Sequence, residues 1–180
     1  MGVEAALSAL KCSGLNPSDI DAVFWASTSN PYTLKMVAPT IGLAIGVRND
    51  VHTDDFAHSE KAGIAALIAA ADYVSTGKGK YAMVVASDVL QGPPGNIPET
   101  EHSVGCGAAA FIVGEEGVIA ELEGTSSMSS EFMDRWRTGA ETDVVQALDN
   151  PRFTQDYGYL WHVTEAAKKL MEKLGKSVKD

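Results

Sequence analysis

The sequence has few of the residues expected of a membrane, nucleic-acid-binding or secreted protein. Two cysteines occur in 180 residues, Cys12 and Cys106, and both have small or apolar neighbours, which argues against a disulfide framework and fits a reducing compartment. Fourteen basic residues against 24 acidic ones give a formal charge of -10, which argues against nucleic acid or an anionic membrane as a general partner. The apolar runs are shorter than a membrane span, and no signal-peptide core follows Met1. A cytoplasmic protein is therefore expected.

The apolar pattern alternates between helical and strand spacing. Helices are predicted at residues 3–13, 33–45, 59–76 and 159–174, and strands at residues 21–27, 51–56, 81–87, 104–113 and 118–123. This order predicts an α/β fold with a mixed sheet, in which parallel strands are followed by an antiparallel hairpin. Because the first element is a helix, we expect the sheet to be incomplete at the N-terminus. We predict one domain, 1–180, with an α/β core at 1–123, an irregular excursion at 124–158 and a C-terminal helix at 159–175.

The stretch Val51–Gly77 predicts a strand, a tight polar corner and a long alanine-rich helix. Ser59 is the predicted N-cap, Glu60 the acidic residue of the first turn, and Gly77 the stop signal. A strand that leads into a helix directs backbone N–H groups and a partial positive charge at the corner. Such a corner can hold an anion or activate a nucleophile. Here it contains His58, Ser59 and Glu60, and no cysteine.

Several motifs together resemble the thiolase superfamily, and most closely its archaeal-type 3-hydroxy-3-methylglutaryl-CoA synthases. The loop Ser27–Tyr32, STSNPY, is similar to the family's Ser-Glu-Ser-His-Pro-Tyr, and Lys61–Gly63 is similar to the residues that follow the family's nucleophile in Cys-Lys-Ala-Gly. Gly105–Ala110 resembles its strand of small residues, and Ile119–Thr125 the strand after that. The resemblance covers nearly the whole chain and corresponds to the first half of the family. It implies a thiolase-like layered α/β/α half.

The resemblance also implies where the catalytic residues would lie. Condensation in this family uses a cysteine thiolate that is acylated by acetyl-CoA, and a glutamate that acts as a base. A gapless match places Glu60 at the nucleophile position and Thr28 at the position of the base. A carboxylate at a helix start is a poor acyl acceptor, and a threonine cannot take a proton at neutral pH. The family's catalytic histidine belongs to its second half and has no position here.

Other residues are weaker candidates for the same chemistry. Glu60 could serve as the base with Ser59 or His58 beside it, but adjacent side chains at a helix start usually diverge, and a capped, solvated corner is the simpler interpretation. Cys106 is a second candidate thiol, although a cysteine in a strand of glycine and alanine more often packs than reacts. His162 lies on the last predicted helix and is expected to be a surface or packing histidine.

The acidic and histidine residues around the second predicted strand invite a metal hypothesis. They are His52, Asp54, Asp55, His58 and Glu60. Strand alternation places His52 and Asp54 on one face and Asp55 on the other, so the five side chains do not converge. A polar strand end or a subunit contact is the preferred interpretation, and no metal is expected.

These observations favour a thiolase-fold, acyl-CoA-related subunit that lacks its own nucleophile and acts with a partner chain in a C–C bond forming or thiolytic enzyme. The alternatives are an active acyltransferase whose catalytic groups are completed by another subunit, and a structural dimerisation module. No tightly bound cofactor is expected, and a coenzyme A thioester is the possible ligand. The resemblance implies a thiolase-like partner or a homodimer through the Val51–Phe56 strand, and a zinc-ribbon/OB-fold acyl-CoA-binding protein as a further candidate partner.

Overall fold

The computed structural model describes residues 1–57, 59–89, 105–133, 135–136, 146–147 and 150–177. These residues form two compact units: the described residues up to Ala120 belong to the first, and those from Glu121 onward belong to the second. In the described ranges, no helix is both long enough and apolar enough to cross a bilayer.

The first unit is built on one mixed sheet. Within the described ranges it has four strands in the order β2-β1-β3-β4, which are β1 (Ala22–Ser27), β2 (His52–Ala57), β3 (Ala82–Val89) and β4 (Cys106–Val113). Strand β1 pairs in parallel with β2 and β3, and β3 pairs antiparallel with β4. All six residues of β1 are buried, as expected of a parallel strand covered on both faces.

Helices cover both faces of this sheet. Helices α1 (Gly2–Ser13) and α2 (Ala38–Ile45) pack on one face, against a cluster that includes Val23, Trp25 and Met83. Helix α3 (Ala62–Ser75) packs on the other face, where its buried residues are three alanines and one valine, so its backbone approaches the sheet closely. The predicted layered α/β/α arrangement with a mixed sheet is therefore confirmed.

Helix α2 is shorter than predicted. It begins at Ala38 and not near residue 33. Pro39 lies in its first turn, where a missing N–H costs nothing, so this proline starts the helix and does not weaken it. The side chain of Asp55 completes the start by accepting hydrogen bonds from the backbone N–H groups of Val37 at 2.6 Å and Ala38 at 2.9 Å.

Helix α3 begins at Ala62, three residues later than predicted, with Lys61 at the N-cap position. The Ser59 hydroxyl oxygen accepts a hydrogen bond from the backbone N–H of Lys61 at 3.1 Å, and the Ser59 carbonyl accepts one from Ala62 at 2.9 Å. The regular pattern of helical hydrogen bonds begins later, where the Lys61 carbonyl accepts the N–H of Ala65 at 2.9 Å. The predictions of Ser59 as N-cap and of Glu60 in the first helical turn were therefore wrong.

The predicted strand at 118–123 is not present in the structure. Its alternating apolar and acidic residues predict a strand only where a neighbouring strand supplies hydrogen bonds, and among the described strands none pairs with this segment. Ile119 is fully exposed, and Glu123 instead forms an ion pair with Lys176.

The second unit begins its helical stretch earlier than predicted. A short antiparallel pairing of β5 (Arg135–Trp136) with β6 (Gln146–Ala147) lies within the predicted excursion. Helix α4 (Pro151–Phe153), a π-helical stretch (Thr154–Leu160) and α5 (Trp161–Leu174) then follow without interruption. The start is set by Asn150, whose side-chain oxygen accepts a hydrogen bond from the Phe153 N–H at 3.1 Å. A proline at the first helical position suits the same start.

Candidate functional site

The sheet brings most of the candidate residues to one edge. Thr28 follows β1, Ser59 and Glu60 follow β2, and Cys106 begins β4 opposite Val89 at the end of β3. This is the edge formed by the carboxyl ends of the parallel strands, which is where open α/β sheets bind their ligands. The predicted catalytic positions therefore share the edge of the sheet that most often carries a site.

Asp88, near the end of β3, organises the loop that follows β1. Its Oδ1 accepts hydrogen bonds from the hydroxyls of Ser27 (2.8 Å), Thr28 (3.1 Å) and Ser29 (2.8 Å). It also accepts the backbone N–H groups of Thr28 (2.7 Å) and Ser29 (3.0 Å). Burial would raise the pKa of Asp88, but the hydrogen bonds from Ser29, Ser27 and Thr28 hold that pKa below its ordinary value. The carboxylate is therefore ionised at neutral pH.

The far end of the same loop is also tied down. The indole N–H of the buried Trp25 donates a hydrogen bond to the side-chain oxygen of Asn30 at 2.8 Å. The Ser29 hydroxyl, while donating to Asp88, accepts the backbone N–H of Val89 at 2.9 Å. Thr28 thus lies in a loop held by neighbours on both sides, with its hydroxyl donating to a carboxylate. In this arrangement it is a hydrogen-bond donor, as its chemistry predicts, and not a base.

The corner after β2 is an exposed polar turn. Ser59, Glu60 and Lys61 are all exposed, and the Ser59 hydroxyl oxygen is engaged with the backbone of Lys61. His58 lies outside the described residues, so the hypothesis of a histidine that acts with Ser59 or Glu60 stays a prediction. At the position that the resemblance assigns to the nucleophile, the described corner has a carboxylate. This carboxylate lies in an open turn directly before α3.

Both cysteines are accessible to solvent. Cys12 and Cys106 are exposed, so the expectation that Cys106 packs in a buried strand was wrong. Strand β4 is an outer strand of the sheet as described, and its glycine and alanine side chains are too small to cover Cys106. Strands β2 and β4 are three strand spacings apart, about 14 Å. Cys106 therefore begins a strand that is not adjacent to the one leading into the Glu60 corner, and its role as a second candidate thiol stays a prediction.

We expect both thiols to react with 5,5′-dithiobis(2-nitrobenzoate) in the native protein, because both cysteines are exposed. The measurement is the absorbance of released thionitrobenzoate, which should reach two equivalents without denaturant. The variants Cys12→Ser and Cys106→Ser assign each equivalent. Release of fewer than two equivalents until denaturant is added would contradict the exposed placement.

The candidate metal ligands on β2 are engaged in separate places. The His52 ring stacks on Tyr73 with centroids 5.5 Å apart and meets the edge of Phe24 at 5.6 Å. Asp55 caps helix α2 through Val37 and Ala38. Over the described ranges, no three histidine, cysteine, aspartate or glutamate side chains form a group that could hold a metal ion.

Asp88 was not among the residues predicted for the site. Its partners are 59 to 61 residues away along the chain, so no local pattern connects them. A signal was nevertheless available. A run of hydroxyl residues follows one buried strand, and a lone aspartate ends another; adjacent parallel strands would place the two together.

Comparison with known proteins shows what this chain is similar to. No family model matches the sequence. The hydroxymethylglutaryl-CoA synthase of Pyrococcus horikoshii is 40% identical over 100% of this chain and 51% of the relative, and that of Thermococcus onnurineus is 41% identical with the same coverage. The chain is similar to hydroxymethylglutaryl-CoA synthases and has a thiolase-like fold. It spans about half the length of these curated relatives.

Solved thiolase-superfamily structures agree on the fold. MvaS in complex with 3-hydroxy-3-methylglutaryl coenzyme A aligns with a TM-score of 0.82 over 96% of this chain and 41% of that chain, at 23% identity. A Xanthomonas campestris OleA variant with bound lauric acid and lauroyl-CoA gives 0.81 over 99% of this chain and 57% of that chain, at 19% identity. The superfamily fold therefore extends over nearly all of this chain.

Proposed function

We propose that this chain is a thiolase-fold subunit for acyl-CoA chemistry that has no nucleophile in the corner after β2 and acts with a partner chain. The observation that carries the proposal is the exposed Glu60 in the turn before α3, where the resemblance puts the family's cysteine. A carboxylate there accepts an acyl group poorly. The likeness to an HMG-CoA-bound MvaS and to an OleA with lauroyl-CoA supports a coenzyme A thioester as the ligand of the assembled protein.

The position of the base supports the same conclusion. Thr28 occupies it, and the Thr28 hydroxyl donates to the ionised Asp88. A hydroxyl that already donates to a carboxylate cannot remove a proton from the methyl group of an acetyl thioester. With both positions changed, the catalytic groups of a condensing or thiolytic reaction would come from the partner chain.

The outer edge of β2 is the proposed contact with that partner. Strand β2 is an outer strand of the sheet as described, and its His52 and Asp54 are exposed. An outer strand presents backbone N–H and C=O groups that a second strand can bind. The proposed partner is a thiolase-like chain with an intact cysteine, glutamate and histidine. The alternative partners are a second copy of this chain and a zinc-ribbon/OB-fold acyl-CoA-binding protein.

The test is acylation followed by peptide mass spectrometry. The purified chain is incubated with acetyl-CoA, digested, and searched for an added acetyl group on the peptide that contains residues 59–61. We expect none. Because a family enzyme with its cysteine intact accumulates the acetyl adduct, it serves as the positive control under the same conditions. An acetyl group on Ser59 or Glu60 would contradict the proposal and favour the active acyltransferase.

Co-purification tests the partner. The tagged chain, recovered from its own cells at native abundance, should emerge with a thiolase-like chain that has the complete catalytic set. Recovery as a homodimer that shows no heat of binding with coenzyme A esters would contradict the proposal and favour the structural dimerisation module.

A further inference from the structure

A serine and a histidine meet within the second unit. The Ser130 hydroxyl oxygen lies 2.7 Å from Nε2 of His162, on helix α5. His162 Nδ1 lies 2.6 Å from the backbone carbonyl oxygen of Gly158. Ser130 is exposed, and His162 is half-buried. These two side chains converge although they are 32 residues apart in the sequence. Adjacent residues at a helix start, such as those at the Ser59 corner, usually diverge instead.

The Gly158 carbonyl fixes the tautomer of the ring. A carbonyl oxygen can only accept a hydrogen bond, so Nδ1 must carry the proton and donate it to Gly158. In the neutral ring Nε2 is then a lone-pair acceptor, and the Ser130 hydroxyl must donate to it. A hydroxyl that donates to an imidazole whose other nitrogen is held by a third group is the arrangement of an activated serine.

Aromatic rings hold the imidazole in place. Trp161 meets the His162 ring edge-on with centroids 4.7 Å apart, and Phe132 meets it at 6.1 Å. Phe132 in turn stacks on Phe153 at 5.3 Å. The ring is therefore oriented by packing as well as by hydrogen bonds, and the exposed hydroxyl lies beside an apolar surface that suits a small, uncharged acyl or aryl group.

We propose that Ser130 and His162 form a nucleophile–base pair that accepts acyl groups from small activated esters. Ser130 Oγ forms a bond to the ester carbonyl carbon, while its proton passes to Nε2 of His162. The bond from that carbon to the leaving oxygen then breaks, and the alcohol fragment departs with the bonding electrons. The product is an acyl-serine and a free alkoxide or phenolate, which is protonated from His162 or solvent. The proposed pair uses no residue of the corner after β2. Its test is therefore separate from the test of the proposed function.

The experiment uses p-nitrophenyl acetate as the acyl donor and the full chain as it folds. Release of p-nitrophenolate is followed by absorbance, and the acetylated residue is mapped by fragment mass spectrometry. Ser130 should be acetylated in preference to its exposed neighbour Ser129, by at least about tenfold. His162→Gln should slow acetylation of Ser130 by about a hundredfold, because general-base catalysis contributes on the order of 10² to 10⁴ in rate.

Two further variants distinguish a reactive Ser130–His162 pair from a hydrogen bond that only holds the loop against the helix. Ser129→Ala should leave the acetylation of Ser130 unchanged, and Ser130→Ala should abolish it while circular dichroism reports an intact fold. Equal acetylation of Ser129 and Ser130, or acetylation of Ser130 that is unaffected by His162→Gln, would overturn the proposal. An adduct on residues 59–61 would bear on the proposed function alone.

Discussion

Replacing Asp88 by alanine should lower the free energy of unfolding by about 3 kcal/mol at pH 7, because three hydroxyls and two backbone N–H groups lose their common acceptor. Hydrogen bonds to a charged group contribute about 1.5–3 kcal/mol each. The expected loss is far below their sum, since the five share one oxygen and the carboxylate is partly exposed. Ser27, which is only 2% exposed, loses its carboxylate partner. Urea unfolding followed by circular dichroism measures the difference.

The difference in free energy of unfolding between wild type and Asp88→Ala should depend on pH. This pH dependence identifies the ionised carboxylate as the source of the difference. Hydrogen bonding lowers the pKa of Asp88 in the folded chain, so its contribution is complete above the unfolded value of about 4 and is lost as the pH falls through the folded value. The gap between wild type and Asp88→Ala should therefore narrow below pH 4. The control is Asp72→Ala on the exposed face of α3, expected within about 0.5 kcal/mol of wild type. A gap that is the same at pH 7 and pH 3 would contradict this account.

A Glu60→Cys substitution should create a thiol that reacts with iodoacetamide about tenfold faster than Cys12 at pH 7. The new thiol would lie directly before α3, where the partial positive charge of the helix start favours the thiolate. Cys12 lies in the last turn of α1, away from any helix start. If the helix start lowers the pKa of the introduced thiol by one unit, the fraction of thiolate there rises by about tenfold. Alkylation rates resolved by mass spectrometry compare both thiols in one sample.

The matched control is Lys78→Cys, an exposed position just beyond the end of α3. Its thiol should react no faster than Cys12. Equal rates at positions 60 and 78 would mean that the corner does not activate a nucleophile. In that case the cysteine that the proposed function calls missing would not by itself explain why the chain needs a partner.

The elements that the sequence predicted well are those with local signals. Gly14 ends α1 at its predicted place because the chain adopts a left-handed conformation there, with φ of 71°. The continuous apolar runs before Ser27 and Ser87 predicted buried central strands, and β1 and β3 are such strands. The layered fold follows from the alternation of these elements with helices.

The features that the sequence did not predict depend on which elements become neighbours. Exposure of Cys106 follows from β4 being an outer strand, which composition cannot reveal. The Asp88 cluster and the Ser130–His162 pair join residues that are far apart in the chain. The start of α3 was misplaced because the chain makes a turn closed by the Ser59 carbonyl and the Ala62 N–H before the helix begins, and the residue types alone do not reveal such a turn.

Strands β1 and β3 are tied together by one carboxylate at each end. Asp88 of β3 accepts hydrogen bonds from the loop after β1, and Asp21, just before β1, accepts the backbone N–H groups of Lys80 at 2.6 Å and Tyr81 at 3.2 Å, just before β3. Both strands are apolar on both faces, so apolar side chains would still be buried if one strand slid past the other. The apolar pattern by itself therefore could not select one register for the pair. Slippage of one strand past the other in either direction would break the hydrogen bonds that both aspartates accept across the two strands. The two carboxylates therefore fix the alignment of β1 with β3, and with it the position of the loops attached to them.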